Sequence, residues 1–109
     1  MPNNFRVKTS GSIGTSEDTI YTCPSSTQTT VIGLNLANIL TPGITANVLL
    51  ENADGDNINI IKNAPIPSGS ALAPIGGTQK LVMEAGDILK VSSSDASSID
   101  CALSVLEVS

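Results

Sequence analysis

Apolar and polar residues alternate along this chain, and proline, glycine, serine or threonine breaks the alternation roughly every 8 to 12 residues. That rhythm constrains the fold more than any other feature. A strand side chain returns to the same face at every second position, whereas a helix needs a period of about 3.6. Helical periodicity is nearly absent. The expected fold is all-β: a single antiparallel β-sandwich, jelly-roll-like, with short strands and tight turns. The 109 residues suit one domain. Phe5 and Tyr21 are the only aromatics and there is no Trp, so the core must be packed from Ile, Val, Leu, Ala and Met.

Residues 1–18 are polar, with FRVKT as a strand-like island. They are expected to form a first strand or an arm that folds against a partner. Residues 19–109 are assigned to the sandwich. TIYTC is a short strand stopped by Pro24. In TTVIGLNLANI, Ile32, Leu34 and Leu36 are expected on one face and Val31, Gly33, Asn35 and Ala37 on the other. ITANVLLEN turns Ile44, Ala46, Val48 and Leu50 inward. Asp-Gly in ADGD, residues 53–56, predicts a hairpin to NINIIKN, with Ile58 and Ile60 inward and Lys62 on the same side. The two prolines of APIPSGS cannot donate to a ladder, so that stretch is an edge or a crossover between sheets. ALAPIGGT is extended and bends at its glycine pair. KLVMEAGDILKV reads as a second hairpin. Ala85 resists positive φ, so a type I turn with Gly86 left-handed is expected over 84–87. The last strand, IDCALSVLEV, puts Ile99, Cys101, Leu103 and Val105 on one face. Leu106 and Val108 break phase, which predicts a bulge or a stretch buried on both faces.

The chain has no His, which rules out Ser-His-Asp and Cys-His catalysis. Paired carboxylates remain possible among ten acids, but the aromatic platforms of sugar-cleaving sites are missing. A net charge of −5 and the lack of stacking aromatics argue against a nucleic-acid partner. No run is long enough to span a membrane, and MPNNFRVKTSG has charge without an apolar stretch behind it, which predicts a chain made in a cytosol that stays soluble. Asn52, Asp54 and Asp56 alternate like the first ligands of a calcium loop. Gly55 then sits at the fourth position, not the sixth, and Asn63 stands where the twelfth should be Glu. APIGGTQK lacks the spacing of a phosphate loop. Cys23 and Cys101 are too few for zinc without His and read as small buried side chains, with a later disulfide as the alternative. No catalytic, cofactor or metal residue is predicted.

The order of elements carries a further signal. IYTCPSSTQTTVIGLNLAN, a hairpin, APIPSGSALAPIGGTQKLVMEAGDILKV and IDCALSVLEV, in that order, resemble small β-sandwich structural proteins of tailed bacteriophages. The resemblance covers roughly residues 19–108 and rests on turn and strand chemistry. It implies a non-enzymatic virion component, above all a capsid decoration or cement protein on the outer surface of the major capsid protein. Such a protein would be a homo-oligomer, a trimer by preference, assembled in the host cytoplasm. A tail, neck or fibre-base module is the alternative. A carbohydrate-binding domain would have to rest on Tyr21. Cys23 and Cys101 depart from the plain aliphatic residues often found in such proteins. From the residues themselves, two segments are candidates for partner contact: the polar N-terminus with Phe5 and Val7, and the edge near APIPSGSALAP with Ile66, Leu72 and Ile75.

Overall fold

The computed structural model describes residues 3–76 and 80–108. They form nine strands: β1 Asn3–Ile13, β2 Asp18–Thr22, β3 Gln28–Asn38, β4 Ile44–Glu51, β5 Asn57–Ile66, β6 Ala71–Ile75, β7 Leu81–Met83, β8 Ile88–Ser93 and β9 Ile99–Val108. Two antiparallel sheets pack face to face. One runs β1, β9, β3, β6, with β7 also paired to β3; the other runs β2, β8, β4, β5. The all-β sandwich expected from the alternation is the fold observed.

Among the described residues, β4 and β5 form the one hairpin, and β6 and β7 follow one another along the same edge of β3. Every other step in the chain changes sheet. The stretch with two prolines is one of these crossings: Pro65 and Ile66 close the edge strand β5, and residues 67–70 carry the chain to β6. The expected hairpin over 81–91 is corrected here. β7 pairs with β3 in one sheet, and β8 pairs with β2 and β4 in the other. The turn chemistry was legible but its strands do not meet. Gly86 has φ +91, and Asp87 N donates to Glu84 O at 3.0 Å. Positive φ at the third residue is the type II pattern rather than type I.

Two further corrections have a local cause. In β3 the register slips between Val31 and Gly33, so Val31, Leu34 and Leu36 are buried while Ile32 is only half-buried. A bulge inserts one residue and reverses the facing of everything before it. In β9 no slip occurs. Glu107, not an apolar residue, takes the next inward position, and Leu106 and Val108 lie half-buried on the outside. Ile58 also departs from expectation. It is 52% exposed because β5 is an edge strand and Ile58 lies near its open end, while Ile60 and Ile61 both pack partly against the core.

The core lies between the sheets, with Leu34, Leu36, Leu103 and Val105 of one sheet facing Val48, Leu89 and Val91 of the other. Each such side chain contributes about 1.5 to 3 kcal/mol on burial. The one aromatic in it is Tyr21. The bend at Gly76 and Gly77 lies in part outside the described residues.

Candidate functional site

The outer face of the five-stranded sheet carries an apolar row. Phe5 on β1 stands opposite Leu106 on β9, Leu106 opposite Thr30 on β3, and Thr30 opposite Val82 on β7. Residues directly opposite on antiparallel strands share a face, so the four side chains line up across four strands. Phe5 is 75% exposed and Val82 60%. Val7, two residues from Phe5 on the same face, is 65% exposed. Three of the five exposed large apolar side chains among the described residues therefore share one surface. Scattered exposed apolar residues need no explanation, but an aligned group is a candidate contact surface.

The sequence placed five residues in candidate contact segments. Phe5 and Val7 stand on this face. Ile66 and Ile75 are 1% and 2% exposed and lie in the core, with no surface to offer while the sandwich is closed. Leu72 is half-buried against that core. Val82 and Leu106 were not singled out. Leu106 had a signal, its break of phase beside an acid; Val82 had none, because its facing depends on β7 pairing with β3.

The inner side of β1 is polar. Arg6, Lys8 and Ser10 stand opposite Val105, Leu103 and Cys101, all inward-facing. Arg6 Nε donates to Glu107 Oε1 at 2.7 Å, and Tyr21 Oη donates to Glu107 Oε2 at 2.5 Å. Tyr21 has one proton, spent on the carboxylate, so Thr29 Oγ1 donates to Tyr21 Oη at 2.8 Å. The Tyr21 bond, helped by Arg6, holds the Glu107 carboxyl below the usual carboxylate range. Burial, then the bond to Glu107, pushes Tyr21 up to about 12. Glu107 thus stays ionised and Tyr21 neutral, and the inward acid is compensated on both oxygens. Ser10 Oγ donates to Asp18 Oδ2 at 2.6 Å. Beneath β1 a shallow groove of about 260 Å³ is lined by Lys8, Thr19, Tyr21, Pro24 and Glu107 among others.

Other candidates have local structural roles. Asn52 Oδ1 accepts from both Asp54 N and Asp56 N, so the calcium-like triplet is a self-bonded turn. Cys23 and Cys101 are free and buried. Burial pushes the Cys101 thiol up to about 11, away from the reactive thiolate. Tyr21 is 5% exposed and shows no ring face to a sugar. Among the described residues no helix is long and apolar enough to cross a membrane.

No family model matches the chain, and no curated protein matches it. Among solved structures it is similar to a chain described under "Bacillus endospore appendages form a novel family of disulfide-linked pili". The TM-score is 0.60 at 8% identity, over 99% of this chain and 87% of that one. At that identity the likeness concerns the fold, and it supports the sandwich described above.

Proposed function

We propose that this chain is a non-catalytic structural protein of a tailed-phage virion, a decoration protein that seats on the outer surface of the major capsid protein lattice as a trimer. The observation that carries the reading is the aligned apolar row of Phe5, Leu106, Thr30 and Val82 on one sheet face. A flat apolar strip on a rigid sandwich suits a contact repeated many times over. Weak contacts from each chain of an oligomer then act together through a high effective concentration. The sequence resemblance supplies the virion, and the row supplies a surface with which to join it.

The test is co-sedimentation of the purified protein with capsids that lack it, counting copies per capsid. Saturation at a number set by the icosahedral lattice is the expected result. Binding to tails or necks instead would move the same surface to that part of the virion. A second reading is a subunit that builds an appendage from copies of itself. It is favoured by the fold likeness to a chain from a pilus. Filaments formed by the purified protein alone, seen by electron microscopy, would select it.

A further inference from the structure

We propose that the free edge of β1 accepts an extended segment of a partner protein in which acidic side chains alternate with apolar ones. This deepens the assembly reading above and rests on it.

β1 is hydrogen-bonded on one side, to β9, and no strand among the described residues pairs with its other edge. From Asn3 to Ser10 it pairs with β9 in unbroken register, and its first irregularity falls between Ser10 and Ile13. Eight regular residues without proline present a full row of backbone donors and acceptors, which is the requirement for adding a strand. All but one of those eight residues are exposed on a strand that belongs to the sheet.

The side chains flanking that edge set what can be added. Phe5 and Val7 extend outward, so the added strand must offer apolar residues on that face to continue the row. Arg6 and Lys8 extend inward, so its alternate residues come to lie directly opposite two basic side chains, with Cβ atoms about 5 Å apart. Arg6 is already paired with Glu107, so Lys8 is the cation an acid would meet. In a chain of net charge −5, two of the five basic residues stand here. The Lys8 ammonium makes no hydrogen bond or ion pair among the described residues, although its charge helps to lower Glu107. Inward charges on an edge strand ordinarily deter pairing. Here the same charges reject most strands and admit one that carries acids.

A second copy of this chain does not meet the requirement. Two β1 strands paired about a two-fold centred on Arg6, Val7 or Lys8 would set Arg6 against Arg6, Arg6 against Lys8, or Lys8 against Lys8. Like charges directly opposite are destabilising. The other edge strands offer no free acids in alternation: β5 carries Lys62, β6 and β7 carry no acid, and Asp18 of β2 is bonded to Ser10. The occupant is therefore a different, acidic partner.

The experiment titrates the full chain into a fluorescein-labelled synthetic octapeptide alternating Glu and Val, and into a control alternating Lys and Val, and reads anisotropy. The Glu-Val peptide should bind at least about tenfold more tightly, and raised salt should weaken it. Lys8→Glu, a change at an exposed position, should reverse the preference. Deuterium uptake across β1 should slow when the peptide is bound. Equal binding of both peptides, no binding, or protection elsewhere than β1 would overturn the proposal. Capsid co-sedimentation separates this from the reading it rests on. If capsids bind wild type and Lys8→Glu equally while the peptide does not bind, the acceptor edge falls and the assembly reading stands. If capsids bind neither while the Glu-Val peptide still binds and protects β1, the capsid reading falls and the acceptor edge stands.

Discussion

Glu107 is the residue whose position the sequence most obscured. An acid between Leu106 and Val108 in a strand end reads as the outward member of the pair, and alternation counted from Ile99 gave the opposite answer. Whether a carboxyl can face inward depends on Tyr21 and Arg6, which are 86 and 101 positions away. No local pattern contains that information. The arrangement has a pH signature. The folded state holds Glu107 below its usual range, so its ionisation stabilises the fold above the unfolded value of about 4.3. That contribution is lost as pH falls through the folded value. Denaturant midpoints measured between about pH 6 and pH 3 should therefore drop more steeply for wild type than for Glu107→Gln. Parallel slopes would remove Glu107 from the acid limb. Leu34 is the opposite case, a residue the alternation placed correctly. It is 1% exposed, and Leu34→Ala should cost about 2 to 5 kcal/mol in equilibrium unfolding. A loss under about 0.5 kcal/mol would mean that the site collapses onto the missing side chain without a cavity.

At the scale of elements, the strands and turns were legible, but apart from the hairpin of β4 and β5 their partners were not. Gly86 announces a left-handed turn wherever it lies, because glycine has no Cβ to clash at φ +91. Nothing nearby says whether the flanking strands pair with each other or with strands of opposite sheets. The loop after β7 is instead tied across the end of the sandwich. Gly86 N donates to Cys23 O, Cys23 N donates to Asp87 O, and the two Asp87 oxygens accept from Ala53 N and Glu84 N. Asp87 is buried, and its bonds join three loops. Two changes should loosen this end by different routes. A Cβ at Gly86 would stand 3.2 Å from the Ala53 Cβ and also take the left-handed conformation, so Gly86→Ala should destabilise by about 1 to 3 kcal/mol. Asp87→Asn keeps one acceptor oxygen of two and costs the Ala53 or the Glu84 amide a part-buried, charge-assisted bond, for a loss of about 1 kcal/mol. Urea unfolding of each variant checks both. If Asp87→Asn is neutral, water replaces the lost acceptor and the tie is not needed.

At the scale of the whole molecule, the informative contrast is between the two faces of β1. Inward, one ion pair and one hydroxyl bond hold the strand against the sandwich. Outward, Phe5 and Val7 stand in water at the head of a row that ends three strands away at Val82. Strands lie about 4.8 Å apart, so the row spans about 14 Å. A fold stabilised mainly by its own core has little use for that row, because exposed side chains contribute little to stability. The double variant Phe5→Ser with Val82→Ser should therefore unfold within about 1 kcal/mol of wild type, each position being worth about 0.5 kcal/mol or less. Under the proposed assembly role, its effect falls on binding. If each chain loses about 1.4 kcal/mol of contact, a single chain binds tenfold more weakly, and a trimer that engages through all three chains loses up to about a thousandfold. Capsid occupancy at fixed protein concentration should fall from near saturation to near zero while the denaturant midpoint hardly moves. Unchanged occupancy with unchanged stability would take the row out of the interface. A fall in stability to match the fall in occupancy would make it part of the fold rather than of what the fold joins.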